Sequence, residues 1–438
     1  MFPLENWRVE VTPLSIIILG LGHGDPRALT LEARDVLAHA REIFLRTRAH
    51  PAVAALPPEL DAYAFDDLPD ADPAAIAEAI LARAQTGDVI YAVPGHPLFG
   101  ESSVRKILAQ ARAKQIATRV IAGTSFVDAA CGALELDPLV RGLQIADATE
   151  LARQHFPRLD PDQPTLIGQV HSREIARACL ATLRVVYPPE HGVTRVDAAG
   201  TAAQRLTSFA LAELDRAADC DWLTTIYVPP LARAGSLNRL GEVVAHLRAP
   251  DGCPWDREQT HQSLRKDFLE ECYEVLETLD ANDLPHLREE LGDLLLHILL
   301  QAQIASEAGE FSLSEVVAEI SEKLIRRHPH VFGDVKVNGT DEIIANWEQI
   351  KQAENGGKKK TKPSIPRDLP ALARAQEIAH KAKTPADVRA LAAHVEKLAH
   401  APARAADVGE ALFALVAFAE SQQVDAETAL RETANAKM

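Results

Sequence analysis

Apolar positions follow two regimes along the chain. Up to about residue 231, short apolar runs alternate with amphipathic stretches. Ser15-Ile16-Ile17-Ile18-Leu19 is a continuous apolar run closed by glycine, the pattern of a strand covered on both faces. Asp88 to Val93 is a second such run, closed by Pro94-Gly95, and Arg119 to Ala122 a third, closed by Gly123-Thr124-Ser125. Thr30 is placed to cap a helix over Leu31 to Ala40. Strands separated by helical stretches predict an α/β domain with a mostly parallel sheet over residues 14–231. Pro229-Pro230 closes it, and Ala232 to Ser236 reads as a linker.

From Leu237 to Glu354 the apolar period becomes helical, which predicts an all-α domain over 237–354. NGGKKKTKPSIPR then interrupts it with glycine, lysine and proline, so 355–368 is expected to be a flexible linker. Residues 369–438 are helical again and rich in alanine. They carry a weak internal repeat: laying EELGDLLLHILLQAQIA (from Glu289) over ADVGEALFALVAFAESQ (from Ala406) puts Gly292 on Gly409 and Leu295 on Leu412. The chain is multidomain.

Charge changes the picture by exclusion. Of 438 residues, Lys plus Arg number 46 and Asp plus Glu 63, a net charge of −17, so the average surface repels nucleic-acid polymers and anionic membranes. The five cysteines form no CxxC pair, and the start of the chain lacks the basic and apolar segments of a signal peptide. No apolar run approaches the length of a bilayer span. The expected setting is cytoplasmic, with reduced thiols and no membrane partner.

The densest chemistry lies between Asp267 and Asp293, which hold ten acidic residues against one basic residue, Arg288. Most charge runs are solvated faces. Helical phase argues otherwise here. Leu264, Phe268, Cys272, Val275 and Leu279 form one stripe; Glu271 falls inside it, Glu274 at its edge, and Glu270 and Glu277 point away. On the next helix Leu287, Leu291, Leu294 and Ile298 form a stripe bordered by Glu290, with Asp293 on the same flank. The turn at Asn282-Asp283 and Pro285 makes the two helices antiparallel neighbours, so their acidic flanks can face each other. Two like charges ~4 Å apart repel by about 4 kcal/mol at an effective dielectric of 20, so a cation is needed or the carboxyls must hold protons. Oxygen-only ligands suit Mg²⁺, with Mn²⁺ the alternative. A di-iron site would need Glu-x-x-His, and no histidine stands at that spacing; His297 is expected to pack or to support the ligands. Downstream, Lys323, Arg326 and Arg327 end a helix, His328-Pro329-His330 follow, and Trp347 and Lys351 sit one turn apart. This set reads as a phosphate grip with a flat surface for a base.

The segment from Leu240 to Glu354 resembles the MazG family of nucleoside triphosphate pyrophosphohydrolases. The marks are GCPWDREQTHQSL (Gly252 to Leu264), Glu270-Glu271-x-x-Glu274, Glu290-Leu291-Gly292-Asp293, RRHPHVFG (Arg326 to Gly333) and WEQIKQAE (Trp347 to Glu354). The resemblance implies an all-α fold, Mg²⁺ dependence, a homodimer, and hydrolysis of a nucleoside triphosphate to its monophosphate and pyrophosphate in nucleotide-pool housekeeping. It implies that Glu271, Glu274, Glu290 and Asp293 are catalytic metal ligands. Arg326, Arg327, His328, Trp347 and Lys351 would bind substrate. Residues 369–438 resemble a second, degenerate MazG repeat in which Ala393, His394 and Lys397 stand where the acids of the first helix are expected.

Residues 14–231 resemble the tetrapyrrole methylase family through GLGHGDPRALT (Gly20 to Thr30), VPGHP (Val93 to Pro97) and GTSFVDA (Gly123 to Ala129). That resemblance implies a cleft for S-adenosylmethionine, with Gly20, Gly22, Gly24, Asp25, Gly95, His96, Thr124 and Ser125 as its binding residues. His96 stands where that family carries aspartate, a departure that bears on methyl transfer. The whole arrangement resembles a YabN-type fusion. Two other readings stand beside it: a bifunctional protein that also methylates a tetrapyrrole, and a ligand-binding sensor on a helical dimer scaffold.

Overall fold

A computed structural model describes residues 15–67, 72–216, 220–354, 365–400 and 404–437. The chain forms two compact units, residues 1–308 and 309–438. Most of the expected linker, residues 355–364, lies outside the described residues, as does the chain start through residue 14.

The first unit opens with a five-stranded sheet: β1 (Ser15–Gly20), β2 (Glu42–Leu45), β3 (Asp61–Ala64), β4 (Val89–Val93) and β5 (Ala117–Ile121), in the order β3-β2-β4-β1-β5. Every pairing is parallel; Ile18 lies opposite Tyr91 on one side and Val120 on the other. Helices α1 (Leu31–His39), α2 (Pro73–Arg83) and α3 (Ser102–Ala113) connect the strands. Ile16 and Ile18 join Ile76, Ile80 and Ile107 in one core cluster, while Leu19 and Leu21 join Leu37, Ile43 and Leu45 in another. Alternate residues of one strand thus feed two cores, which is why its sequence is apolar at every position. Thr30 Oγ1 accepts from the Ala33 N–H at 3.2 Å and starts α1.

After α4 (Phe126–Leu134) comes a second sheet: β6 (Gln144–Asp147), β7 (Thr165–Gly168), β8 (Gly192–Asp197), β9 (Arg205–Ala210) and β10 (Thr224–Val228), ordered β6-β7-β10-β8-β9. Only β6 and β7 run parallel; the other three pairings are antiparallel. The expected mostly parallel character therefore holds for the first sheet and not the second. The reason is local: the connection between β8 and β9 is too short to carry a crossover, so the strand must turn back. Helices α5 (Ala148–Leu151) and α6 (Arg173–Leu183) pack on this sheet around Ile167, Leu183, Tyr187, Val193 and Ile226.

Four helices complete the first unit: α7 (Leu237–Arg248), α8 (Pro254–Glu258), α9 (Arg265–Ala281) and α10 (Leu284–Glu307). Asn282, in the left-handed conformation, ends α9, and Asp283 accepts from the His286 N–H to start α10. Arg248, at the end of α7, is almost wholly buried. It pairs with Glu307 at 2.7 Å and donates to the Asp256 carbonyl, so one guanidinium joins the ends of α7, α8 and α10.

The second unit holds α11 (Leu313–Arg327), α12 (Pro329–Phe332), α13 (Thr340–Glu354), α14 (Ala371–Ala382), α15 (Val388–His400), α16 (Ala405–Ser421) and α17 (Ala426–Asn435). Ser312 and Glu315 form a capping box at the start of α11. Among the described residues, no helix is long and apolar enough to cross a membrane.

The segment 232–236, expected to be a linker, is docked at its C-terminal end. Asp162 accepts from the backbone N–H of Gly235 at 2.8 Å and of Ser236 at 3.1 Å, and Asn238 donates to Asp160 at 2.9 Å. Hydrogen bonds to a charged group are worth roughly 1.5–3 kcal/mol. Asp162→Ala should therefore speed tryptic cleavage after the exposed Arg233 by about tenfold, with the circular dichroism spectrum unchanged. An unchanged cleavage rate would show that the segment is held without Asp162.

Candidate metal centre and cation cluster

Helix phase decides where the carboxylates of α9 and α10 point. Glu271, Glu274 and Glu290 offer carboxylate oxygens that all lie within 4.8 Å of one another. Asp293 stands outside this tight set, yet its charge acts on Glu271. Glu270 faces outward and meets Lys266 at 3.9 Å. The inward side of α9 also holds Leu264, Val275 and Thr278, all buried. The expected stripes are narrower than their sequence pattern: Leu279, Leu291 and Ile298 are 53%, 50% and 43% exposed. Thr278 takes the place expected for Leu279, and its hydroxyl donates to the Val275 carbonyl at 2.8 Å. A pair of helices covers only one flank of each stripe.

His297 lies on the same face as Glu290 and Asp293. It is buried, its Nδ1 has no hydrogen-bond partner among the described residues, and its ring meets Phe268 edge-on at 5.9 Å.

Burial raises the Glu271 carboxyl to about 7, and the hydrogen bond that protonated Glu271 donates to the Glu274 carboxylate, together with the charges of Glu274, Asp293 and Glu290, pushes the same way. Burial and the charges of Glu274, Asp293 and Glu289 raise Glu290 too. In the metal-free protein the cluster therefore retains a proton. An oxygen-only donor set short of positive charge fits a hard divalent cation.

In the second unit, Glu354 accepts from Arg326 Nε at 2.7 Å and from Arg327 Nη2 at 2.6 Å. The Arg327 guanidinium lies 5.6 Å and the Lys351 ammonium 4.8 Å from the centroid of the Trp347 ring. The structure thus brings Arg326, Arg327, Trp347 and Lys351 together. Both cations lie near the indole expected to offer a flat surface for a base. His328 is spent locally, its Nδ1 bonding the Leu324 carbonyl at 2.7 Å at the end of α11.

The glycine-rich turns of the first sheet also have local work. A Cβ on Gly123 would come within 2.3 Å of the Gly95 carbonyl oxygen, and one on Gly20 within 2.6 Å of it, so these strand ends close backbone to backbone. Gly22 and Gly95 exchange backbone hydrogen bonds at 3.2 and 2.8 Å. Gly24 has φ +121° beside Thr201 and Pro51. Asp25 caps a turn through the Arg27 N–H at 2.8 Å, and its hydrogen bonds from Arg27 lower its carboxyl to about 2. Ser125 and Asp128 form the capping box of α4. His96 Nδ1 accepts from the Leu98 N–H at 3.1 Å, the turn an aspartate makes with its carboxylate. Thr124 differs, since among the described residues its buried hydroxyl has no partner; nor do the buried Nδ1 atoms of His23 and His50. Neither histidine stood out in the sequence, where a lone histidine carries no spacing signal.

Residues 259–332 match the family described as MazG nucleotide pyrophosphohydrolase domain, and residues 15–215 match the tetrapyrrole (corrin/porphyrin) methylases. YabN of Bacillus subtilis is 38% identical over 375 residues, 83% of this chain and 76% of its own length. The chain belongs to the YabN family. Nucleoside triphosphate pyrophosphohydrolase of Escherichia coli is 47% identical over 145 residues, 32% of this chain and 55% of its own. The protein called nucleoside triphosphate pyrophosphohydrolase/pyrophosphatase MazG in Thermotoga maritima is 38% identical over 215 residues, 46% and 83% respectively.

One feature sets the last helices of this YabN-family chain apart. Lys397, at the position matching Glu274, pairs with Asp407, at the position matching Glu290, at 2.8 Å; Arg404 pairs with Asp407 at the same distance. Side-chain cations stand there where α9 and α10 gather only acids.

The sign of the pH effect follows from Glu271. In the unfolded chain a glutamate releases its proton near 4.5, whereas the folded, metal-free cluster keeps it to about 7. The associated stability is fully present below the lower value and is lost as pH rises through the upper one. The melting temperature of metal-free protein should fall between about pH 5 and about pH 7.5, and Glu271→Gln should flatten this dependence. Parallel curves for the two proteins would contradict the assignment.

Proposed function

We propose that the chain is a divalent-metal-dependent nucleoside triphosphate pyrophosphohydrolase that converts a triphosphate and water to the monophosphate and pyrophosphate, in keeping with nucleotide-pool housekeeping. The observation that carries the reading is the convergence of Glu271, Glu274 and Glu290. The similarity to the Escherichia coli and Thermotoga maritima proteins, named for that activity, supports it. Glu271, Glu274, Glu290 and Asp293 would hold Mg²⁺ or Mn²⁺. Bound there, the metal supplies Lewis acidity toward phosphate oxygens and an acidified water. One carboxylate of the site acts as general base toward the attacking water. Arg326, Arg327 and Lys351 provide positive charge suited to a pyrophosphate leaving group. We place the MazG-type catalytic domain at 237–354 and the degenerate repeat at 369–438, and read the protein as a cytoplasmic homodimer.

A second reading concerns residues 14–231. The orphaned Thr124 hydroxyl and the Nδ1 atoms of His23 and His50 favour a polar small ligand, S-adenosylmethionine among them. The residues of the turns are otherwise engaged in holding the turns. Binding with weak or no methyl transfer is the expected behaviour, which calorimetric titration and product mass would separate.

A nucleotide panel assayed for pyrophosphate release tests the main reading. EDTA should abolish turnover and Mg²⁺ or Mn²⁺ restore it; orthophosphate and diphosphate as products would sink it. Glu271→Gln should cut turnover about a hundredfold or more and weaken Mn²⁺ binding, whereas Glu270→Gln should stay within about tenfold. Equal losses would mean that the inward face of α9 is wrongly assigned. In the last helices, Asp407→Asn with Glu410→Gln should leave turnover nearly unchanged; a loss beyond about tenfold in a folded protein would make that repeat catalytic.

A further inference from the structure

Glu354 is the last residue of α13, and its carboxylate is shared by two arginines that it holds in different ways. Arg327 donates through Nε and Nη2 to Oε2, at 3.2 and 2.6 Å. Its side chain is 18% exposed, and its guanidinium lies over Trp347. Arg326 donates through Nε alone, to Oε1 at 2.7 Å, and is 53% exposed. Its two terminal nitrogens make no hydrogen bond among the described residues. A guanidinium offers five donors in a planar fork, and the pair at its tip is one of the edges that grip a phosphate bidentately. Binding Arg326 at Nε fixes the plane of the group and leaves that tip free.

We propose that Glu354 is a positioning residue that divides the arginine pair, fixing Arg327 as a support against Trp347 and turning the tip of Arg326 outward to take the phosphoryl oxygens of the substrate. The proposal rests on the pyrophosphohydrolase reading and assigns separate work to residues that reading groups together. The hydrogen bonds from Arg327 and Arg326 lower the Glu354 carboxyl to about 2, so it stays charged at every working pH. With Arg326 and Arg327 at +2 and Glu354 at −1, the arginine–carboxylate group keeps a net positive charge for an anion. Carboxylate and phosphate need not compete, because they use different edges of Arg326.

The opposite arrangement, in which Glu354 occupies the arginines until phosphate displaces it, gives an effect of opposite sign. The test uses the full-length protein, with inorganic pyrophosphate in the presence of Mg²⁺ as calorimetric probe and steady-state kinetics on the best nucleotide. Glu354→Gln should weaken pyrophosphate binding and raise KM, each by about tenfold, with kcat within about threefold. Glu354→Asp should recover part of the loss. Arg326→Gln should lose at least as much as Glu354→Gln, and the double variant should be no worse than Arg326→Gln alone, because Glu354 acts through Arg326. Tighter pyrophosphate binding in Glu354→Gln, or additive losses in the double variant, would overturn the proposal. So would absence of pyrophosphate binding by the wild-type protein. Pyrophosphate binding with the expected coupling, but no turnover of any nucleotide, would instead sink the enzymatic reading and leave the anion grip in place.

Discussion

The repulsion among Glu271, Glu274 and Glu290 is the constraint on which the helical half of the first unit turns. Three carboxylates with oxygens within 4.8 Å of one another do not stay together unless the backbone forbids them to part or a positive charge joins them. The chain does the first explicitly. The left-handed Asn282 and the Asp283 cap fix the turn between α9 and α10 next to the cluster. At the far end, Arg248 ties α10 to α7 and α8 through Glu307 and the Asp256 carbonyl. Between them, Leu264, Val275, Leu299 and Leu300 bury apolar surface that the charges alone would push apart. The remaining imbalance shows in the raised carboxyls of Glu271 and Glu290. A site that keeps a proton for lack of a cation is prepared for one, since metal binding releases the proton and removes the repulsion together.

The last helices meet the same problem with a different solution. Lys397 and Arg404 both reach Asp407, so the counter-charge is covalently part of the chain. In the repeat proposed above, the apolar spacing would be kept while the charges are exchanged.

Part of this architecture is legible in the periodicity of the sequence. The buried run of β1, the Thr30 cap and the separation of Glu271 from Glu270 all follow from side-chain direction within one element, which sequence encodes locally. The features that periodicity misses depend on partners far along the chain. The docking of 232–236 is set by Asp162, some seventy residues away. Leu291 and Ile298 belong to an apolar stripe by spacing, but which part of a stripe is covered depends on the neighbouring helix. Glu354 closes a motif that the sequence presents as a row of helix residues; only tertiary contact reveals it as the carboxylate between two arginines.

The same distinction separates fold from activity in the methylase-like part. His96 fills a position where an acid is expected, yet its Nδ1 accepts the Leu98 N–H as a carboxylate oxygen would. The replacement therefore keeps the turn and gives up the charge. Having spent Nδ1 as an acceptor, the neutral ring carries its proton on Nε2, so toward a ligand it offers a donor where an aspartate would offer an acceptor. Gly20 and Gly123 point to the same conclusion: they are demanded by the contact of one backbone with another, and Gly95 by its φ of +65°, whatever the cleft holds. A fold can thus preserve its signature residues because the signature holds the loops together. Among the described residues, the Thr124 hydroxyl and the Nδ1 atoms of His23 and His50 are buried groups that the loops leave without a partner.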